Sequence, residues 1–349
     1  MLFGASPLLR HAPFGAAALA CLAALAPLAA RGAAAEPRAP GLVDLHVDLS
    51  YRLNYRSSSF ARGSGQFMAD RLLESGVAGV VLPLYIPREV SPFGPRDADL
   101  ESSYRSVLGA IAETPPYRTP GCAPAPGGVR TWLAFEGAAP LAFDAGGVRR
   151  WHERGVRVFG LVHTYDNALA SSSGQRPAGE PPVGLTPAGR AVVREVFSFG
   201  AVVDVSHASD ATTDEVLAMA REQGGVVIAT HSNARALAPH PRNLTDAQLR
   251  GIAATGGVIG VNFHTPFLVA GRAATLVDVA RHIEHVARVA GSEHVAVGSD
   301  FEGGIRPPRE LRDVTGLREL GRLLERRGMP RRHVEQAFGL NALRVLCPR

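Results

Sequence analysis

Six apolar runs of this 349-residue chain end on a side chain that can bind a metal or move a proton: His46 with Asp48, Glu136, His163, His207, His231 and Asp300. Imidazole and carboxylate are the ordinary ligands of zinc and similar divalent ions. In Leu42-Val43-Asp44-Leu45-His46-Val47-Asp48-Leu49 the two candidates stand two residues apart. Side chains at i and i+2 leave the same face of a strand, so His46 and Asp48 are expected to converge where the first strand ends. A single strand-end histidine often only meets solvent. The inference rests on recurrence, because 12 histidines placed at random would seldom put four at the ends of predicted strands.

Two metal ions roughly 3.5–4 Å apart can clamp a hydroxide and a substrate carbonyl oxygen, and such a pair needs a shared anionic ligand. All 37 basic side chains are arginines, which rules out a carboxylated lysine as the bridge. The bridge is then expected to be a carboxylate, with Glu136 best placed. His46, Asp48 and Glu136 would hold one ion, and Glu136, His207 and His231 the other. Three protein ligands per ion leave room for water.

Bringing these groups to one mouth requires a parallel sheet. Strands are expected at 42–49, 77–85, 131–136, 156–163, 201–207, 225–231, 257–263 and 294–300, with helices between them at 66–75, 99–113, 187–199 and 214–223 and a last one near 331–346. Near-continuous apolar strands alternating with helices predict an α/β fold of the (β/α)8 TIM-barrel type, whose active site lies at the C-terminal ends of the strands. The rival, an open doubly wound sheet, lacks a Gly-rich phosphate loop after its first strand. Thr212 with Glu215 and Thr245 with Gln248 have capping-box spacing at two helix starts. The Pro-rich stretches 86–98 and 114–128 are expected to overhang the mouth.

Apolar residues make up 46% of the chain and charged ones 20%, a balance suited to a globular protein with a large core. A net charge of +5 is too modest to predict nucleic-acid binding or membrane adhesion. Residues 1–35 read as a signal peptide, with Arg10, an apolar run from Phe14 to about Ala30, and Ala33-Ala34-Ala35 before Glu36. That leaves 36–349 as one domain, secreted or periplasmic, with no stable membrane anchor. Cys21 lies inside the apolar run and makes a poor lipidation site, while Cys122 and Cys347 could pair in an oxidising compartment. His282, Glu284 and His285 lack the spacing of a zinc-binding HExxH helix and read as a solvated helix face. Asn243-Leu244-Thr245 matches a glycosylation acceptor, but Thr245 is better used as a helix cap. His264 is left open as a pocket residue.

Longer words carry a resemblance: Val43-Asp44-Leu45-His46-Val47-Asp48, Phe135-Glu136-Gly137, Leu161-Val162-His163 with Asn167, Val203-Asp204-Val205-Ser206-His207, the run from Thr230-His231-Ser232-Asn233 through His240-Pro241-Arg242-Asn243-Leu244, Gly257-Val258-Ile259-Gly260-Val261-Asn262-Phe263, and Gly298-Ser299-Asp300-Phe301. In order and extent the chain resembles the membrane dipeptidase (renal dipeptidase) family, peptidase family M19 of the amidohydrolase superfamily. The resemblance implies a dipeptidase acting on dipeptides with a free C-terminal carboxylate. It implies two Zn2+ held as above, bridged by Glu136 and a hydroxide. It adds His163 as the group that binds and polarises the scissile carbonyl, Arg242 as partner of the terminal carboxylate, and Asp300 as proton carrier. A homodimer is implied by the resemblance alone, and the lipid anchor of animal members is not implied. The family word Ser-Asp-Phe-Asp-Gly departs here at Glu302, which bears on the local loop. Alternative readings are another binuclear hydrolase on the same barrel, for a lactone, cyclic amide or phosphotriester, and a secreted binding protein without catalysis.

Overall fold

The computed structural model describes residues 41–348 except 57–58, 62, 88–95, 175–180 and 182. The expected leader at 1–35 lies outside the described residues. Among the described residues there are eight strands: β1 (Leu42–Asp44), β2 (Val77–Tyr85), β3 (Arg130–Glu136), β4 (Val156–Gly160), β5 (Val202–Asp204), β6 (Val226–Ile228), β7 (Ile259–Val261) and β8 (Val295–Val297). Their order is β6-β5-β4-β3-β2-β1-β8-β7, and every ladder is parallel. A bridge between Ala229 and Ile259 closes the ring, with Ala229 N–H donating to Val258 O at 3.0 Å and Gly260 N–H to Ala229 O at 2.7 Å. The fold is a (β/α)8 barrel.

The strands read as continuous apolar runs because both faces are buried. Val43, Val81, Trp132, Ala134, Val158, Val202, Ile228 and Ala296 share the inner core, while their neighbours Leu42, Val80, Leu82, Leu133, Phe135, Phe159, Val203 and Val295 belong to the core packed under the helices. The helix Asn341–Leu346 sends Ala342, Val345 and Leu346 into the inner core. It continues Arg331–Glu335 through a π turn at Gln336–Leu340, so the expected last helix is present with one wide turn in it.

Several boundaries differ from expectation. β1, β4, β5, β6, β7 and β8 are shorter than their apolar runs, and of the candidate ligands and acid/base groups only Glu136 is a ladder residue. His46 and Asp48 therefore lie past the β1 ladder, one on each side of Val47, which makes an isolated parallel bridge to Phe301, and as alternate residues they do bring their side chains together, at 3.7 Å. Beside that bridge Asp300 N–H donates to His46 O at 3.0 Å and Asp48 N–H to Phe301 O at 2.8 Å. The runs mislead about strand length because the residues past the ladders are buried too: Leu45, Val47, Val162 and Val205 are all inaccessible. Thr212 is not a cap. Ser209 caps the helix Asp210–Gln223 by accepting from Thr212 N–H at 3.1 Å, and Glu215 instead accepts from Leu185 N–H at 2.9 Å. The Thr245–Gln248 capping box is formed in both directions. The expected helix at 66–75 shrinks to Ala69–Leu72 because Gln66 and Phe67 are held by Glu302. Residues 114–128 do not overhang the mouth. They join the helix Asp97–Glu113 to the start of β3, at the far end of the barrel, where Cys122 is disulfide-bonded to Cys347. Of the other Pro-rich stretch, 88–95 lie outside the described residues.

Candidate metal centre and substrate site

Glu136, the last residue of β3, is the hub of the mouth. Its Oε1 lies 3.0 Å from His207 Nε2, 3.3 Å from His46 Nε2, 3.5 Å from His231 Nε2 and 3.8 Å from His163 Nε2. His46 Nε2 stands 3.7 Å from Asp48 Oδ2, and the Nε2 atoms of His207 and His231 face each other at 3.0 Å. Two sets of donor atoms come within 4.8 Å of one another: Glu136, His207 and His231, and His46, Asp48 and Asp300. The first is the set expected for one ion. The second brings in Asp300, while Glu136 still reaches His46.

The donors suit a divalent ion. His46 Nε2 is buried and has no hydrogen-bond partner, although it faces two carboxylates. Burial drives the Asp48 carboxyl well up, Glu136 adding to it, and drives Asp300 up to about 6. At Glu136 burial acts the same way, but His46 and His163 outweigh it and hold the carboxyl well below its usual range. Burial opposes charging His46, yet Glu136 and Asp48 push it up to about 10. His207 and His231 go well below their usual range through burial and through nearby positive charge, Arg242 included. Carboxyl groups gathered in this density, beside His207 and His231 that resist protonation, form a place where a bound cation is stabilised.

A third group, His46, Asp204 and His231, also comes close, but its atoms are already committed. Asp204 Oδ1 accepts from Ser206 N–H at 3.0 Å, Ser206 Oγ at 2.6 Å and Thr230 N–H at 2.9 Å, and Oδ2 accepts from Thr230 Oγ1 at 2.6 Å. Its bonds make it a support beneath the candidate ligands.

Asp300 sits on a tightly wound loop. Asp300 and Glu302 have φ of 64° and 69°, in the left-handed region that non-glycine residues seldom adopt. A Cβ on Gly303 would fall 2.4 Å from Asp48 Oδ2 and 2.7 Å from Asp300 Oδ1, so glycine is what lets the backbone pass both carboxylates. Asn262 Nδ2 donates to Asp300 Oδ2 at 2.8 Å. Glu302, the departure from the family word, anchors the loop: it accepts from Arg52 Nη1 at 2.6 Å and Phe67 N–H at 2.8 Å, and its own N–H donates to Gln66 Oε1 at 2.9 Å.

Arg242 is buried, with Nη1 unpartnered, and burial lowers it to about 10. It lines a cavity of about 390 Å³ together with Asp48, Glu136, His163 and Asp300, so the structure brings it and His163 to the candidate metal ligands. A neighbouring cavity of about 800 Å³ shares His207, Arg242 and Phe267. His264 lines the smaller one, its Nδ1 accepting from Arg306 N–H at 3.0 Å. The segment before Arg242 is fixed by His282, which is buried and not on a solvated face: its Nδ1 accepts from Ala234 N–H at 3.1 Å and its Nε2 donates to Leu268 O at 3.0 Å. His285 is likewise buried, against Asp246. Reasoning from sequence passed over Thr230, Asp204, Asn262 and Asp44, although a charged residue inside an apolar run was a readable sign for both aspartates.

A parallel barrel with a histidine–carboxylate cluster where the strands end, and a buried arginine beside it, defines a metal-site barrel of the amidohydrolase type. The chain belongs to the membrane dipeptidase family, peptidase family M19, whose sequence profile matches residues 37–348. It is 35% identical over 216 residues to an uncharacterised dipeptidase of Schizosaccharomyces pombe, covering 61% of this chain and 51% of the relative. It is 36% identical over 223 residues to a dipeptidase of Aspergillus oryzae, covering 63% and 52%, so the match spans about half the length of both relatives. Among solved structures, a metallo peptidase of Rhodobacter sphaeroides, crystallised with a phosphinate mimic of the dipeptide L-Ala-D-Ala, superposes with a TM-score of 0.78 at 27% identity over 88% of this chain and 98% of that one.

Proposed function

We propose that this protein is a zinc-dependent dipeptidase that cleaves dipeptides bearing a free C-terminal carboxylate. The observation that carries this reading is the buried, unpartnered Nη1 of Arg242, set in the same cavity as the histidine–carboxylate cluster. A guanidinium fork matches a carboxylate, and a desolvated guanidinium nitrogen without a hydrogen-bond partner calls for an anionic ligand.

His46, Asp48 and Glu136 would hold one zinc, and Glu136, His207 and His231 the other. When bound, the pair supplies an activated water at neutral pH and Lewis acidity toward the peptide carbonyl. Arg242 binds the terminal carboxylate and so fixes which amide lies over Glu136. His163, on the cavity wall, donates from Nε2 to the carbonyl oxygen as negative charge grows on it. Asp300, oriented by Asn262, accepts the proton of the attacking water on a carboxylate oxygen and delivers it to the departing amine. The ligand seen in the Rhodobacter relative makes L,D-dipeptides candidates beside L,L-dipeptides.

The test is metal content measured together with hydrolysis of L,L- and L,D-dipeptides. Two zinc ions per chain and turnover of dipeptides, but not of lactones, are expected. Asp300→Asn should keep both zinc ions while turnover falls about 10²–10⁴-fold, the usual worth of general acid–base catalysis; near-normal turnover would refute the proton-carrier role. Arg242→Ala should act mainly on KM and abolish the preference for free over amidated dipeptides, and an unchanged preference would refute the carboxylate role. Export to an oxidising compartment belongs to the same reading, supported by the Cys122–Cys347 disulfide. The exported protein should begin at Glu36 by N-terminal sequencing.

A further inference from the structure

Thr230 follows β6 and is fully buried beneath the metal centre. Four polar side-chain atoms surround its hydroxyl: Asp204 Oδ2 at 2.6 Å, His231 Nδ1 at 2.9 Å, His46 Nδ1 at 3.1 Å and Ser206 Oγ at 3.1 Å. A hydroxyl has one proton to give and two lone pairs to receive with. As a carboxylate, Asp204 only accepts, so the Thr230 proton goes to Oδ2. Ser206 has its single hydroxyl proton on Asp204 Oδ1 at 2.6 Å and brings none to Thr230. Both lone pairs of Thr230 are then left for the two imidazoles, and each must present an Nδ1–H to occupy them. An imidazole protonated at Nδ1 and neutral has its free pair on Nε2. Those are the atoms that face Glu136, at 3.3 Å for His46 and 3.5 Å for His231.

We infer that Thr230 is a positioning residue that sets the tautomer of one histidine ligand on each metal, so that a single hydroxyl, oriented by Asp204, prepares both halves of the centre at once. The backbone is built around this placement. Cβ atoms on Gly260 and Gly298 would fall 2.0 Å and 1.7 Å from Thr230 O, so side chains there would evict the residue. Asp204 also accepts from Thr230 N–H at 2.9 Å, which fixes main chain and side chain together. Groups that orient a metal-bound histidine commonly contribute 10–100-fold to metal affinity. Here one residue is charged with two such histidines.

The inference rests on His46 and His231 being ligands of different ions, and its test reads zinc binding, not turnover. Chelator competition on the purified protein should resolve two zinc dissociation constants. Thr230→Val, which keeps the shape and loses the hydroxyl, is expected to weaken both about 10–100-fold, and Thr230→Ser to restore both. Wild-type affinity in the valine variant, or weakening of one site alone, would overturn the inference. Should the valine variant not fold, nitrogen-15 NMR of the zinc-loaded wild-type protein decides: protonated Nδ1 and zinc-shifted Nε2 are expected at both His46 and His231, and an unprotonated or zinc-bound Nδ1 at either overturns it. A protein that passes these tests and cleaves no dipeptide would refute the proposed activity and leave the role of Thr230 standing.

Discussion

β1 and β5 end alike, on Val43-Asp44 and Val203-Asp204, yet the two buried aspartates do different work. Asp44 accepts from His46 N–H at 3.1 Å and Ser299 N–H at 2.9 Å, both on Oδ1, and its Oδ2 has no partner. Burial pushes its carboxyl up to about 6 against those bonds. Asp204 uses both oxygens and passes orientation through Thr230 to two imidazoles. The difference comes from what the nearby strand ends supply: the backbone amides of His46 and Ser299 face Asp44, and the Thr230 hydroxyl beneath two ring nitrogens faces Asp204. A buried carboxylate at a strand end is thus only a supply of acceptors. The neighbouring strand decides whether it shapes a turn or tunes a ligand.

The largest effect that would sharpen this contrast is expected from Asp204→Asn. An amide at the Oδ2 position would donate to Thr230 Oγ1 and take one of the two lone pairs, so one histidine loses its partner. Zinc affinity should fall about 10–100-fold, read by chelator competition, and stability by about 2 kcal/mol, read by denaturant unfolding. A smaller effect is expected from a double-mutant cycle. Asp204→Asn and Thr230→Val should be non-additive by about 1 kcal/mol or more in zinc binding, because they break one network, whereas Asp44→Asn and Thr230→Val should add. The smallest effect belongs to Asp44→Asn alone. The amide keeps Oδ1 and its two bonds, and relief of a buried charge offsets an unpaired NH2, so stability should stay within about 1 kcal/mol of wild type. If Asp44→Asn proved as damaging as Asp204→Asn, the contrast between the two strand ends would fail.

Much of the barrel was legible, because eight apolar runs separated by helices have few other ways to be buried. The extent of the strands was not. Val162 and Val205 are as buried past the ladders as they would be inside them, so hydropathy cannot mark where a strand ladder ends. His282 failed for the opposite reason. Its helix looks polar on that face, but the 234–244 segment and Leu268 O cover it, and a neutral imidazole can satisfy both. The Pro-rich stretch at 114–128 was misplaced because composition does not tell a loop entering a strand from one leaving it.

The sequence by itself determined the kinds of candidate ligand, their order at the ends of six apolar runs and, through the absence of lysine, a carboxylate as the group central to them. It also carried the words that place the chain in its family. That His46 and Asp48 meet follows from their i, i+2 spacing around Val47. Only the tertiary structure decided that they lie past the β1 ladder beside Phe301, that Glu136 lies within reach of four histidines, and that Thr230 stands under two of them. Residue types and spacing travel along the chain, where sequence can read them. A hydroxyl's choice of donor and acceptor depends on atoms from three strand ends arriving at one point, and no stretch of sequence contains that point.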